Sequence, residues 1–358
     1  SERMAVDVQG NIYVIGTTWG PIGGNCDYPV TPGAYDTGFN GDHDVVVSKL
    51  DPTGSDLLYS TFIGGSGNEW GRSIAVDTQG NAYVICSTQS ADFPISEGAF
   101  DSQLDGDIDV FVAKLDPSGS QLLYSTLIGG SSWERGNDIS VDESGSAYVV
   151  GTTGSIDFPV TPGVLDPDAN RPKYPTDVFI AKLDTWGESL VFSTFLGGES
   201  GDFGYGIAVD TAGYVMVTGE THSRDFPVTA GAYDESFNGE YDSFVTKIAP
   251  DGTHLVYSTY LGGASFDIAG DIALDGQGQA CVVGYTFSVD FPVTSGSYVS
   301  PSRGWADVFV CKINAQGDNL TYSAIFGGTH EEFGLAIALD PWGRAVIVGQ
   351  TNSNDLPT

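Results

Sequence analysis

Carboxylates that return at one position of a repeated pattern are the first candidates for chemistry in this chain. Each lies eight residues before an aspartate that itself returns every 65 to 70 residues. The five carboxylates are Glu69, Glu134, Asp202, Asp267 and Glu332. Side-chain oxygens at equivalent loops either cap local backbone amides or bind a divalent cation such as calcium. Both interpretations stay open on the sequence.

A second acidic group precedes a segment rich in valine and phenylalanine, where carboxylates alternate with other residues. Its members are Asp42, Asp44, Asp105, Asp107, Asp109, Glu240 and Asp242. Closely spaced oxygens on a turn suit calcium, which takes six to eight oxygen ligands. The pattern lacks the EF-hand arrangement of a glycine and a distal glutamate. Both acidic groups are therefore calcium candidates, and calcium is the one cofactor that the sequence predicts.

Signals of catalysis are sparse. The four histidines, His43, His222, His254 and His330, share no position in the repeat. The chain contains no Gly-x-Ser-x-Gly motif and no phosphate-binding glycine loop. Pairs of carboxylates are plentiful, as a glycosidase would need. However, a site built equally on every repeat is typical of a structural role, and we expect no enzyme.

The cysteines leave two interpretations open. Cys281 and Cys311 lie on neighbouring predicted strands of one repeat, and Cys26 and Cys86 lie near the ends of equivalent strands in adjacent repeats. Each pair either forms a disulfide or remains as buried free thiols. No CxxC motif or His/Cys cluster predicts a zinc site. Asn319 opens an N-x-[ST] sequon, which is a glycosylation candidate in an exported protein.

The charge balance excludes two classes of partner. The 358 residues include 47 acidic and 13 basic ones, for a formal net charge of -34. Such a chain repels the phosphates of nucleic acids and the surface of an anionic membrane. No apolar run approaches the roughly 20 residues that a membrane-spanning helix needs. We therefore expect no nucleic-acid partner and no direct membrane insertion.

The elements that must position these residues follow from the repeat, which starts near residues 5, 75, 140, 208, 273 and 338. In the second repeat the pattern predicts four strands, A to D, over residues 73–76, 82–87, 110–115 and 122–127. A four-stranded antiparallel unit repeated at fixed spacing is typical of a β-propeller. We predict an all-β fold, a β-propeller with five complete blades and a partial sixth. Residues 1–358 would form one propeller domain, a fragment of a longer chain.

Three motifs in each repeat carry a resemblance to a known family. In the second repeat they are Asp92-Phe93-Pro94, Asp-Val-Phe-Val-Ala-Lys-Leu over residues 109–115, and Leu-Tyr-Ser-Thr-Leu-Ile-Gly-Gly over residues 123–130. With them the chain resembles the SBBP β-propeller repeat family of bacteria and archaea. That resemblance implies secreted or cell-surface proteins, often multidomain, without an established enzymatic activity.

These observations lead to one expected function and two alternatives. We expect a non-catalytic, secreted or cell-surface module that binds a protein or glycan ligand. The loops between strands B and C, roughly 20 residues long, would carry the binding surface because loops on a rigid scaffold usually carry function. One alternative is a structural subunit that self-assembles in a surface layer, sheath or filament. The other is a hydrolase or lyase at the channel mouth, which polar residues that break the repeat would favour.

Overall fold

The structure, a computed structural model, describes residues 3–20, 26–169, 176–300 and 304–356. These residues form five four-stranded antiparallel sheets and one two-stranded sheet, and none of them is helical. The predicted all-β fold is therefore confirmed, and the chain is a β-propeller. None of the described segments is a helix that could cross a bilayer.

The strands follow one another in the sheets in chain order, and in each sheet we name them A to D. The first three sheets contain β1 (Met4–Val6), β2 (Ile12–Trp19), β3 (His43–Leu50) and β4 (Leu57–Ile63); β5 (Glu69–Val76), β6 (Ala82–Thr88), β7 (Asp109–Leu115) and β8 (Leu122–Ile128); and β9 (Glu134–Val141), β10 (Ala147–Thr153), β11 (Asp177–Leu183) and β12 (Leu190–Leu196).

The remaining sheets repeat the pattern. They contain β13 (Asp202–Val209), β14 (Val215–Thr221), β15 (Asp242–Ile248) and β16 (Leu255–Leu261); β17 (Asp267–Leu274), β18 (Ala280–Thr286), β19 (Asp307–Ile313) and β20 (Leu320–Phe326); and β21 (Glu332–Leu339) with β22 (Ala345–Thr351).

The aspartate that marks the repeat organises the turn between strands A and B. Asp77 Oδ1 accepts the backbone N–H groups of Gln79 and Asn81, both at 2.9 Å. Gly80 adopts a φ of 85°, a conformation that favours glycine. Asp77 Oδ2 accepts the hydroxyl of Tyr83 and lies 4.0 Å from the ammonium of a strand-C lysine. The other complete sheets place a lysine against the turn aspartate in the same way, through Lys49, Lys182, Lys247 and Lys312.

The chain divides into two compact units. The first comprises β1 to β10 with most of β11 and β12, and the second comprises β13 to β22. In the first unit β5 packs on β2 and β3, and β9 packs on β5 and β6. In the second, β17 packs on β13 and β14, and β21 packs on β17 and β18. Strand A of each sheet thus buries its apolar side chains against the preceding sheet of its unit. That residues 1–358 form one domain stays a prediction.

Strand A is longer than predicted. In the second sheet it begins at Glu69 rather than Ser73, because the pairing continues past an irregularity between Gly71 and Ser73. Arg72 is left without a partner in the register, which is the signature of a β-bulge. A glycine followed by an arginine interrupts the apolar alternation, so the sequence pattern stops short of the bulge.

The cysteines are free thiols, so of the two interpretations that the sequence left open the structure has the unpaired one. Cys281 lies opposite Lys312 and Cys311 lies opposite Val282. Residues one step apart in an antiparallel register point to opposite faces of the sheet, and the two thiols join different hydrophobic clusters. Cys86 is fully buried in the core of the first unit, and Cys26 contacts the hydroxyl of Thr18.

Candidate functional site

Two of the predicted acidic groups meet in buried pairs. The Oδ1 atom of Asp44, at the start of strand C, and Oε2 of Glu69, at the start of the next strand A, lie 2.5 and 2.7 Å from the position that a Cβ on Gly64 would occupy. Both carboxylates are fully buried. The first glycine of the pair that ends strand D therefore leaves room for two carboxylates, because it has no side chain.

The pairing recurs in the first four sheets. The pairs are Asp44 with Glu69, Asp109 with Glu134, Asp177 with Asp202, and Asp242 with Asp267. Asp307 and Glu332 occupy the same repeat positions at the fifth strand D, and both are buried. Burial, with the neighbouring carboxylate adding to it, raises the pKa of Asp109 and of Asp242 to about 7. Burial and the Asp177 charge likewise raise the pKa of Asp202 to about 7. Two charged carboxylates about 4 Å apart repel by roughly 4 kcal/mol at a partly buried site, so a proton or a cation stabilises each pair.

Backbone and hydroxyl donors hold the carboxylate that begins strand A. Glu69 accepts the N–H of Gly65 at 2.9 Å and the hydroxyls of Thr88 and Ser90 at 2.7 and 2.6 Å. The predicted capping role is thus present at this residue. In Asp202 and Asp267 the side chain is one methylene shorter, and Oδ2 of each accepts one backbone N–H, from Gly198 or Gly263, and one serine hydroxyl, from Ser223 or Ser288.

The remaining acidic candidates do not join the pairs. Asp42, Asp105, Asp107 and Glu240 are exposed on the loop before strand C. The backbone N–H of Asp105 donates to Oδ2 of Asp109 at 3.0 Å, so the loop positions the buried carboxylate. No group of three or more His, Cys, Asp or Glu side chains within the described ranges is arranged to hold a metal ion. Calcium binding and glycosylation at Asn319, which is exposed, stay predictions.

The bulge in strand A presents a different side chain from each sheet. The residue skipped by the pairing is Arg72, Asn137, Tyr205, Gly270 and Leu335 in the second to sixth sheets. The next residue also varies, as Ser73, Asp138, Gly206, Asp271 and Ala336. The residue types on either side of the bulge are similar in every sheet. The backbone irregularity is therefore constant, while the side chains at the bulge differ. Bulges re-aim side chains and are common beside active sites.

In the first unit the bulged strands bring a polar cluster together. Asp138 is buried, and its Oδ1 accepts the hydroxyl of Ser73 at 2.7 Å and the N–H of Ile139 at 2.9 Å. A guanidinium nitrogen of Arg3, beside strand A of the first sheet, lies 3.4 Å from the same oxygen. Three successive sheets thus contribute to one carboxylate. We name Arg3, Ser73 and Asp138 the bulge cluster, together with Arg72, which precedes Ser73 in the chain at the bulge itself.

Arg72 has one side-chain donor that lacks a hydrogen-bond partner. Its Nε atom is buried and has no hydrogen-bond partner among the described residues. Burial lowers the pKa of the guanidinium, and the positive charge of Arg135 lowers it further. A net attraction for an anion follows from two like charges placed near each other.

The equivalent aspartate of the second unit accepts hydrogen bonds from backbone N–H groups instead. Asp271 Oδ1 accepts the N–H of Ile272 at 2.9 Å, and Oδ2 accepts the N–H of Ile337 in the next sheet at 2.8 Å. The same residue type in the same position therefore ties two sheets together in one unit and joins a polar cluster in the other.

Sequence reasoning missed the bulge cluster because it searched for positions that repeat. The signal available in the sequence was instead a position at which the residue type does not repeat. Five residues before each marker aspartate, the residue type changes in every repeat, while the residues around it stay similar. In a repeat protein such a position is free of the demands of the fold and available for function.

A family comparison identifies the repeats. The model of the SBBP β-propeller repeat matches residues 58–94, 123–159 and 191–227. The protein carries SBBP repeats. Each matched segment runs from strand D of one sheet to the Asp-aromatic-Pro step after strand B of the next, so the SBBP resemblance seen in the motifs is confirmed. None of the curated proteins matches the chain.

Several solved structures are similar to the chain at low sequence identity. A gluconolactonase from Xanthomonas campestris is 15% identical, with 86% of this chain and 79% of that chain covered and a TM-score of 0.40. A protein of unknown function from Dyadobacter fermentans is 12% identical, with coverage of 97% and 92% and a TM-score of 0.49. A point mutant of the NanB sialidase from Streptococcus pneumoniae is 9% identical, with coverage of 97% and 64% and a TM-score of 0.49.

These neighbours correct the expected function. The chain was predicted to be a non-catalytic module and not an enzyme, yet structures similar to it are a gluconolactonase and a sialidase by name. The prediction treated a propeller built from repeats as a scaffold, and that inference from fold to function was wrong. A likeness at this level shows no activity of this chain, so any activity has to be argued from its own residues.

Proposed function

We propose that the SBBP-repeat protein is a hydrolase that acts on an anionic ester or glycoside at the bulge cluster. The observation that carries the proposal is the buried Asp138 carboxylate, which Ser73 and Arg3 hold from two other sheets. Neither a serine nor an arginine recurs at this repeat position in the other described sheets, so the fold does not require Ser73 or Arg3.

Asp138 is the general base in this proposal. The Ser73 hydroxyl and the Ile139 N–H fix its orientation from one side. The carboxylate takes a proton from a water molecule as the water oxygen attacks the scissile carbon. The bond to the leaving oxygen then breaks. In an ester the protonated Asp138 returns the proton to that oxygen; in a glycoside the leaving oxygen lies on the opposite face of the sugar and takes its proton from solvent. General base catalysis of this kind contributes about 10²- to 10⁴-fold to the rate.

The arginines select the substrate. Arg3 lies beside Asp138, and Arg72 has an unsatisfied buried donor, in a protein whose formal net charge is -34. A planar guanidinium binds a carboxylate or phosphate through two parallel hydrogen bonds. An anionic substrate therefore satisfies the Nε of Arg72 and offsets its repulsion from Arg135.

The test is a panel of 4-nitrophenyl esters and glycosides in which each neutral compound is matched with a carboxylate-bearing one, such as the glucoside with the glucuronide. We expect the wild-type protein to hydrolyse the anionic member of a pair faster. Arg72→Gln raises KM for that member about tenfold or more, because one bidentate contact is lost. Asp138→Asn lowers kcat about 100-fold or more.

The control is Asp251→Asn, which removes a carboxylate from an exposed turn between β15 and β16 and leaves turnover unchanged. Absence of hydrolysis of every compound, or equal rates for Asp138→Asn and the wild type, contradicts the proposed hydrolase.

A further inference from the structure

A continuous series of aromatic rings lies at one end of the fourth, fifth and sixth sheets, where strands A and C begin and strand B ends. The centroids of successive rings are 3.5 to 6.2 Å apart, and each ring is half-buried. In order of contact the residues are Phe203, His222, Tyr241, Phe266, Phe287, Tyr285 and Phe333. We name these seven residues the ring row. All of them belong to the second unit.

The fold does not require aromatic residues at these positions. Where the ring row has Tyr241, Phe266 and Phe287, the equivalent positions three repeats earlier hold His43, Asn68 and Gln89. Those three polar side chains satisfy one another. Nδ1 of the histidine lies 2.7 Å from the asparagine oxygen, and the asparagine amide donates to the glutamine oxygen at 3.0 Å. A contiguous aromatic surface that water still reaches is unfavourable unless a partner covers it, and such surfaces mark interaction sites.

The third sheet shows what can cover a ring at this end of a sheet. Trp133 occupies the repeat position of Phe266, and the guanidinium of the exposed Arg135 lies 5.5 Å from the centroid of the Trp133 ring. In the fifth sheet the position of Arg135 is occupied by Ile268. Among the described residues, no lysine or arginine lies over a ring of the ring row. Phe266 therefore lacks the cation that the third sheet supplies to Trp133.

The charges around the ring row favour a cationic partner. Oε1 of Glu220, at the end of β14, lies 3.6 Å from Nε2 of His222, and the Glu220 charge acts on Tyr285. Glu240 and Asp290 are exposed on the loops that carry the rings. The face of an aromatic ring is itself partially negative. An apolar centre with a polar rim is the usual anatomy of a protein interface, and an acidic rim complements a basic partner.

We propose that the ring row binds a basic segment of a partner protein, with an arginine of that segment lying on Phe266 as Arg135 lies on Trp133. Arginine suits the rings better than lysine, because its planar guanidinium is weakly hydrated and stacks on aromatic faces. One exposed contact of this kind contributes only about two- to fivefold in affinity, so several rings and the acidic rim act together. This binding role is separate from the proposed hydrolase, because it uses no residue of the bulge cluster.

The probe is a fluorescently labelled heptapeptide in which three arginines alternate with glycines, titrated with the wild-type protein at low salt and followed by fluorescence anisotropy. The matched control peptide carries citrulline, which keeps the length and planar end of arginine without its charge. We expect saturable binding of the arginine peptide and binding of the citrulline peptide that is about tenfold weaker or more. A lysine peptide binds with an affinity between the two, because it keeps the charge and loses the stacking.

Three variants assign the site. Ile268→Arg places an arginine where the third sheet has one, so it covers Phe266 from within the chain and weakens binding of the arginine peptide about fivefold or more. Gln277→Arg makes the same change of charge on the exposed turn between β17 and β18 and weakens binding less than about twofold. Phe266→Leu keeps an apolar side chain without the ring and weakens binding about threefold. Should Phe266→Leu fail to fold, the comparison of the two arginine variants still decides.

Four results would each overturn the proposal. The first is no saturable binding of the arginine peptide, and the second is equal binding of the arginine and citrulline peptides. The third is equal weakening by Ile268→Arg and Gln277→Arg, which would mean that only the net charge matters. The fourth is binding of a neutral oligosaccharide such as cellohexaose that displaces the arginine peptide and is lost in Phe266→Leu, which would assign the ring row to a glycan.

Discussion

At the scale of the residue, Asp109 shows what a buried carboxylate does to the folded state. Burial and the nearby Glu134 raise its pKa to about 7, compared with 3.8 for the ordinary group. The folded protein therefore binds a proton that the unfolded chain has already lost between these two pH values. The stability that this residue contributes is fully present below pH 3.8 and is lost as the pH rises through 7.

We therefore expect the protein, measured with a chelator present, to lose stability between pH 5 and pH 8. Asp109→Asn, which cannot ionise, reduces that loss and stabilises the protein at pH 8 by roughly 1–3 kcal/mol. Urea unfolding at pH 5 and pH 8 measures both quantities. If the variant loses as much unfolding free energy between pH 5 and pH 8 as the wild type, ionisation of Asp109 does not destabilise the folded protein.

The sequence predicted these carboxylates as sites but not as pairs. Asp109 and Glu134 are 25 residues apart, and they meet because strand D brings the start of strand C to the loop that leads into the next sheet. Spacing along the chain identifies residues that share a repeat position. It does not identify which two repeat positions share a point in space, since that depends on the register of the sheet.

At the scale of the element, the glycine pair that ends strand D makes the buried carboxylates possible. A Cβ on Gly129 would lie 2.3 Å from Cγ of Asp109, which is far closer than a carbon contact allows. We expect Gly129→Ala to displace that carboxylate from its donors and to cost about 2–4 kcal/mol of unfolding free energy.

The matched control for this change is Gly276→Ala. Gly276 lies in the turn between β17 and β18, and a Cβ there meets nothing within 4 Å. Chemical denaturation of both variants at pH 7 tests the comparison, with a change below about 0.5 kcal/mol expected for the control. Similar values for the two variants would mean that the carboxylates move aside easily.

The bulge of strand A marks the limit of prediction at this scale. The strands were predicted from their β-branched and aromatic residues, and strands B, C and D begin and end within one residue of the prediction in the second sheet. The first half of strand A was missed because Gly71 and Arg72 do not alternate with apolar residues. Of the bulge cluster, Arg72 lies in that missed half and Ser73 lies at the predicted start of the strand, so the bulge that joins them was not predicted.

At the scale of the whole molecule, positions that repeat and positions that vary have different roles. Residues that return in every repeat, such as Asp142 at its turn, satisfy backbone amides and pair with a lysine. The position four residues earlier varies, as Arg3, Ser73 and Asp138 in the first three sheets, and these residues assemble the bulge cluster. Repetition therefore predicts the fold, and its interruption indicates the site.

Comparing Asp138→Asn with Asp142→Asn tests this division most directly, because the two residues lie in one sheet. The measurement is turnover of the best anionic 4-nitrophenyl substrate per folded molecule, with Tm recorded for each variant. We predict that Asp138→Asn loses turnover and keeps its Tm, and that Asp142→Asn lowers Tm by several degrees and keeps its turnover. Full turnover in Asp138→Asn, or lost turnover in a folded Asp142→Asn, would contradict the account.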